Sequence, residues 1–568
     1  MKGILMTSKT FGKDRTLFAL AVAVFITYAA LFIYRTSFVI NGVRYFSLFD
    51  DAMISMRYAQ NLAHGYGLVW NPGGPRVEGY TNPLWVFYMT LIHLFPISLA
   101  KTSLFVQTTA AAFLTANLFF VRKIARAVSD GSEPVALGAV ALTAAYLPIN
   151  NWSLQGMEVS VLVLIISMCL WQAAESIADH TFRVWLYILL GISTLVRPDM
   201  VVPFGAFILF LAIFDRPNRT RHIAWGTGTL ISLWAAQTLF RLWYFGETLP
   251  NTYYLKLTGY PSALRILHGL FVLAQFLWNA NLLLFAVPFL LAFRRDRRIW
   301  LLLWVLLIQM AYSVYVGGDA WEYWGGSNRY ISIAMPGFFV LLSFGLFLAS
   351  QLLMNALDQD SQAARTTAPE WKLGVFALLI AFSIVSVNSI YGVGALAELM
   401  LRKAPLHTGP GGENEGEVEQ ALLLRKITTP DATLAVARAG TIPYFSERPG
   451  IDLLGKNDRY IAHEPMRRSL SGLHRFIEFR PGHMKYDYDY SIGRQAPDVI
   501  VQLWEHPEEA RPYLEKSYKG VSLQGKCVYF REGSPNVLWQ SPELNGSPNS
   551  CGVLAIPSPS AAWSEIGR

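Results

Sequence analysis

Charge is what this chain has least of. Only 15% of its 568 residues are charged and 53% are hydrophobic, whereas a soluble domain carries about 25% charged residues. So little charge argues against a water-soluble protein of this length and implies embedding in a membrane. The shortage is uneven. Residues 16–395 are apolar blocks with short polar gaps, and residues 400–568 have the composition of an ordinary soluble domain. No His/Cys cluster has metal-site spacing, and there is no convincing internal repeat. Of three cysteines, Cys169 lies in an apolar block and reads as a small buried residue. Cys527 and Cys551 share the C-terminal region and form one disulfide if that region is extracytoplasmic. The net charge of +8 does not point to nucleic acid, because the basic residues cluster between apolar blocks, where topology explains them.

A helical span needs about 20 mainly apolar residues. Blocks of that kind fall at 16–34, 102–121, 135–149, 158–175, 183–198, 200–214, 223–243, 272–293, 299–316, 333–355 and 373–391. The first follows Lys2, Lys9, Lys13 and Arg15 with no clear small-residue cleavage site, so it reads as a retained anchor with its N-terminus inside. Segment 83–98 is shorter, holds His93 and Pro96, and reads as juxtamembrane. Eleven spans then place the basic gaps RKIARAVSDG, IADHTFR, DRPNRTRH and RRDRR on the cytoplasmic side, as the positive-inside rule requires. The expected architecture is a multi-pass helical module over 1–395, with a first outer loop at 35–82. An extracytoplasmic α/β domain over 396–568 follows, its strand-like runs ATLAVARAG, PDVIVQLW and CVYFRE set between turns and polar helical stretches.

The gaps left outside collect a particular set of groups. The first outer loop carries Asp50, Asp51 and Arg57, then Glu78 and Asn82. Later gaps bring Trp152 and Glu158, Arg197 and Asp199, Asn251, Tyr253, Tyr254 and Lys256, then Asp319 and Arg329. Each has a bland reading. Boundary Arg and Lys snorkel, interfacial Trp and Tyr form aromatic belts, and Pro-Gly strings make turns. Arg241 or Trp324 alone reads as structural. Adjacent carboxylates beside hydrocarbon are harder to explain that way, because they are costly unless they meet water, cations or substrate. A carboxylate can take a proton from an alcohol. Positioned Arg and Lys hold a phosphate and stabilise it as it leaves, and aromatics with short polar side chains suit a sugar. The set therefore fits transfer of a sugar from a polyprenyl phosphate to an acceptor hydroxyl on the outer face.

The layout resembles the GT-C superfamily of integral-membrane glycosyltransferases. More narrowly, DDAMISMRYAQNLAHGYGLVWNPGGPRVEGYTNPLW resembles the first-loop signature of the mycobacterial terminal β-(1→2)-arabinofuranosyltransferase group. GME, RPD, RLWYFGETLPNTYYLK, YVGGDAW, ARAGTIPYFSERPGIDLLGKNDRYIAH and PGHMKYDYDY follow in order. The resemblance spans about residues 45–495. It implies Asp50 and Asp51 as the catalytic acidic pair, with Asp50 the base. It also implies Arg57, Glu78, Asn82, Glu158, Arg197, Asp199, Asn251, Tyr253, Lys256, Asp319, Arg329 and His483 as residues of the donor and acceptor sites. Arg197, Lys256 and Arg329 are its phosphate candidates, and Lys485 lies beside His483. The implied donor is a polyprenyl-phosphate arabinofuranose, the acceptor a glycan or other hydroxyl of the cell envelope, and the place the bacterial inner membrane. No cofactor is required in this reading, although some GT-C enzymes bind a divalent cation near the acidic loop. Residues 1–15 and those beyond about 535 lie outside the resemblance.

Three rivals remain. The same chemistry serves another polyprenyl-phosphate sugar, such as mannose or an amino-sugar. A transporter would place its ionisable groups near the midplane of broken helices, and a sugar-binding scaffold would not need carboxylates beside the bilayer.

Overall fold

The computed structural model describes residues 8–320, 328–359, 370–388, 412–468 and 470–545. The chain forms two compact units, each assembled from separate stretches. The first comprises Met1–Arg35, Val106–Gln237 and Arg265–Leu406, and the second Thr36–Phe105, Thr238–Leu264 and His407–Arg568. The sequence boundary expected at 395/396 falls among residues outside the described set.

The first unit is a helical bundle, the arrangement that lets apolar segments satisfy their backbone groups without water. Helix Met335–Gln359 packs against Glu133–Ala144, Leu282–Leu290, Arg297–Val316 and Glu370–Val387. Phe285 and Phe338 stack at 4.3 Å in its core. Gly138 allows a close helix approach, since a Cβ there would stand 2.4 Å from Ser343 Oγ. Cys169 is fully buried, as its apolar setting suggests.

Among the described residues, five helices are long and apolar enough to cross a membrane, or up to seven if each bent pair is one span. Five further apolar helices of 10–17 residues fall below that length, and several of the eleven expected blocks are broken locally. Block 272–293 is interrupted at Asn281, whose φ of 71° ends one helix before Leu282–Leu290 begins. Block 135–149 splits into Glu133–Ala144 and Leu147–Leu154, with Pro148 opening the second helix. Blocks 200–214 and 223–243 are joined through a 111° bend. Composition counts apolar residues across such breaks, but a helix does not cross them. Segment 83–98 yields helix Pro83–His93, about 16 Å long at 1.5 Å per residue and too short to span.

The second unit begins with a hairpin of β1 (Phe38–Ile40) and β2 (Val43–Tyr45). Its turn is Asn41-Gly42, both at positive φ, as a two-residue hairpin turn demands. Then comes helix Asp50–Ala63. What reads as an outer loop in the sequence is thus a 14-residue helix, built on a buried face of Ala52, Met53, Met56 and Ala59 with two acids at its positive end. Further along, β3 (Leu434–Val436), β4 (Gly450–Asp452), β5 (Val499–Ile500), β6 (Tyr518–Leu523) and β7 (Lys526–Arg531) form one sheet in the order β4-β3-β5-β7-β6. Strand β3 is parallel to β4 and β5, and β7 is antiparallel to β5 and β6. The runs ATLAVARAG, PDVIVQLW and CVYFRE supply β3, β5 and β7. Short helix Thr441–Ser446 packs against both Asp50–Ala63 and Glu413–Ile427, and Asn251–Leu257 packs against Arg459–His463.

Candidate active site

Asp50 and Asp51 open their helix. Asp50 Oδ1 accepts from the amides of Gly440 and Thr441, at 3.0 and 2.9 Å. Gly440 is required by proximity, because a Cβ there would stand 2.1 Å from the Asp50 carbonyl oxygen. Burial holds the Asp50 carboxyl up at about 7; the charge of Glu417 adds to this, and the Thr441 amide and Arg438 oppose it. Arg438 is itself held by Glu417 at 2.9 Å and by Glu413. Asp51 Oδ1 meets Lys456 Nζ at 2.7 Å, with both side chains partly exposed.

Lys456 sits in a turn that its neighbours hold from two sides. Asp452 accepts from the amides of Leu454, Gly455 and Asn457 and from the Asn457 side chain. Burial raises the Asp452 carboxyl to about 6. The Asn251 side-chain amide donates to the carbonyls of Gly455, Lys456 and Asp458 at 2.9, 3.0 and 3.3 Å. Asn251 therefore bonds to the turn that presents Lys456. Neither Lys456 nor the Gly440–Thr441 amides stood out as site groups in the sequence, although all three lie within the quoted string ARAGTIPYFSERPGIDLLGKNDRYIAH.

The remaining candidates of this unit divide by their partners. Arg57 is buried and donates to the carbonyl of Trp70 and to Gln60, and burial lowers its guanidinium to about 10. Glu78 pairs with Arg241 at 2.8 Å, both buried, and burial raises Glu78 to about 7 against the opposing Arg241 charge. Asn82 accepts from Ser55 at 2.9 Å and precedes helix Pro83–His93. Tyr253 is exposed, its ring 5.7 Å from that of Tyr254. A Cβ on Gly482 would lie 3.3 Å from Lys256 Cε, which puts Lys256 beside the PGHMKYD turn. In that turn burial lowers the His483 imidazole to about 4, opposed by the Asp51 charge. Lys485 is spent on the carbonyls of Tyr254 and Ala462, at 2.9 and 2.7 Å.

The first unit holds the other candidates as ion pairs. Arg197 Nε donates to Asp199 Oδ1 at 2.9 Å, a second bond joins the same two side chains, and Nη1 reaches Glu158 at 3.4 Å. Its guanidinium lies over the Tyr330 ring at 5.0 Å. Arg329 grips Asp319 in a two-pronged contact of 2.6 and 2.7 Å and lies 4.6 Å from the centroid of the Trp152 ring. Such bidentate pairs are geometrically specific as well as strong. Trp321, Glu322, Trp324 and Cys551 lie outside the described residues. Among the described residues, no group of three or more His, Cys, Asp or Glu side chains is placed to hold a metal ion.

The fold is similar to those of solved structures of ArnT and AglB. ArnT from Cupriavidus metallidurans in its apo state aligns over 92% of this chain and 98% of its own length, with a TM-score of 0.52 and 12% identity. ArnT bound to undecaprenyl phosphate aligns over 91% and 98%, at 0.52 and 12%. The oligosaccharyltransferase AglB from Archaeoglobus fulgidus, in complex with an inhibitory peptide and a dolichol-phosphate, aligns over 94% of this chain and 75% of its own, at 0.52 and 11%. At such identities the likeness is one of fold. Residues 408–538 match a family described as a domain of unknown function (DUF8728). No curated protein sequence matches the chain.

Proposed function

We propose that this chain is a membrane glycosyltransferase. It moves a sugar, arabinofuranose by the resemblance of its motifs, from a polyprenyl-phosphate donor to a hydroxyl of a cell-envelope glycan. The observation that carries this reading is the carboxylate pair at the start of helix Asp50–Ala63. One carboxyl is held by backbone amides with its proton affinity raised to about 7, and the other is paired with a lysine. Asp50 is the general base and takes the acceptor hydroxyl's proton. The acceptor oxygen bonds to the anomeric carbon as the carbon–oxygen bond to phosphate breaks, and the polyprenyl phosphate leaves with that electron pair. A base titrating near neutrality suits the step. Lys456 and Lys256 stabilise the departing phosphate, and Asn251 positions Lys456. The presence of undecaprenyl phosphate and dolichol-phosphate in the fold relatives supports a polyprenyl carrier. In this reading the carboxylate pair faces the outer side of the bacterial inner membrane, where lipid-linked rather than nucleotide-linked sugars are the donors, and residues 396–568 are extracytoplasmic.

The test is transfer by purified protein in nanodiscs, from a synthetic polyprenyl-phosphoryl arabinofuranose to a panel of hydroxyl acceptors. Turnover that disappears in Asp50→Asn supports the reading. Transfer only from another polyprenyl-phosphate sugar keeps the mechanism and replaces the arabinose. If no lipid-linked sugar is consumed, the transferase reading is wrong.

A further inference from the structure

We propose that the second unit carries a glycan-binding face built from Tyr254, Tyr460, His463 and Tyr490, and that it holds sugar units of the acceptor away from the reacting hydroxyl. The inference rests on the transferase reading for its role, but the face is defined by its own geometry. Helix Asn251–Leu257 packs against helix Arg459–His463. Tyr460 and His463 are three residues apart on the latter, which puts them on the same side of it. Tyr254 stacks on His463 at 4.3 Å, and Tyr460 stacks on Tyr490 at 4.2 Å. The rings are tied at their edges: Tyr254 Oη donates to Glu247 at 3.3 Å, Tyr490 Oη to Asp458 at 3.2 Å, and His463 Nδ1 meets the Arg459 carbonyl at 2.8 Å. Tyr254 and Tyr490 are partly buried, and His463 and Tyr460, stacked on them, are exposed, Tyr460 to 40%.

Exposed rings locked in place offer binding surface at small entropic cost. Their rim decides what fits. Glu247, Asp458, Glu464, Asp487 and Asp489 surround the rings, with Arg459 and Arg494 paired to two of them. Five carboxylates against two guanidiniums and the buried Lys485 ammonium, which donates to the carbonyls of Tyr254 and Ala462, leave the rim acidic and disfavour a phosphate, a nucleic acid or an acidic peptide. A neutral polyol suits them, because its C–H faces lie on aromatic rings while its hydroxyl edges donate to carboxylate oxygens. Tyr460 is four residues from Lys456, whose ammonium meets Asp51. One short stretch of chain therefore carries both the face and a group of the proposed reaction centre.

The test is binding of soluble arabinofuranosyl and mannosyl mono- and oligosaccharides to the full-length protein in nanodiscs without donor, read by saturation-transfer NMR and calorimetry. Affinity should rise with chain length for one of the two series. Tyr460→Ala should weaken oligosaccharide binding about tenfold, as truncating an aromatic anchor does, whereas Tyr460→Phe, which keeps the ring, should bind within about twofold of wild type. Equal binding by wild type and Tyr460→Ala, or no preference for oligosaccharides in either series, overturns the proposal. Loss of binding in both Ala and Phe variants also overturns it, since the ring would then not be the contact. Donor consumption with water as acceptor is measured separately. Tyr460-dependent binding without donor consumption leaves this inference standing while the transferase reading fails.

Discussion

The two compact units treat their ionisable groups differently. In the first, Arg197 and Arg329 each grip a carboxylate by two bonds, Asp319 almost wholly shielded from solvent and Asp199 partly exposed. In the second, Asp50 is held by backbone amides and Asp51 by a single lysine ammonium. A guanidinium–carboxylate fork fixes both charges and both geometries. Amide donors fix the position of a carboxylate but leave its proton free to come and go. An apolar chain can thus contain costly charged groups of two kinds, some neutralised in place and others left able to react. The pair Glu78–Arg241 shows that the first kind also occurs within the second unit.

The comparison breaks most visibly at Asp50. Asp50→Asn should lower transfer by about 10²–10⁴-fold, the range general-base removal costs, with the melting temperature in detergent little changed. Transfer within tenfold of wild type would remove Asp50 from the chemistry. The complementary change is Asp319→Ala, which strands Arg329 in a buried site. It should cost about 3–5 kcal/mol of stability, read as a fall in thermal unfolding temperature. Asp51→Ala, at a partly exposed pair, should cost about 1 kcal/mol or less. Equal stability losses at 319 and 51 would erase the distinction between the units. Lys456→Ala comes next: about a tenfold rise in KM for the lipid donor is expected, the loss of one charged contact. An unchanged donor KM would assign Lys456 to structure alone.

How much of this was legible beforehand follows from which residues act locally. The acidic pair, the PNTYYLK string and three of the five sheet strands could be read in the chain, because their signals are contiguous. Strand β4 is three residues long and lies within GID, too short for a period-two pattern to emerge. Helix Asp50–Ala63 reads as loop when its charges and aromatics are counted without the 3.6-residue spacing of its buried face. Lys456 and the Gly440 and Thr441 amides could not be assigned, because 390 to 405 residues separate them from Asp50 and Asp51 and only folding brings them together. The expected span count exceeds the five to seven long apolar helices of the described residues because a run of apolar residues hides a helix break such as that at Asn281, where the backbone takes a positive φ.

The smallest expected effect concerns the proton on Asp50. In the proposed reaction Asp50 works when deprotonated, so transfer should rise with pH along a limb centred near 7, the value at which burial and Glu417 hold its carboxyl. Glu417→Gln removes a like charge and leaves Arg438, its partner at 2.9 Å, acting more fully on Asp50. Both changes favour the carboxylate, so the limb should move to lower pH, by about one pH unit or less. Transfer measured at pH 6 should then rise relative to that at pH 8. The substitution Asp179→Asn, at the exposed pair with Arg183, serves as a control of equal charge change and should leave the limb in place. A limb that Glu417→Gln does not move, or moves upward, would assign the titrating group to a residue other than Asp50 and leave the amide-held carboxyl as a structural cap on its helix.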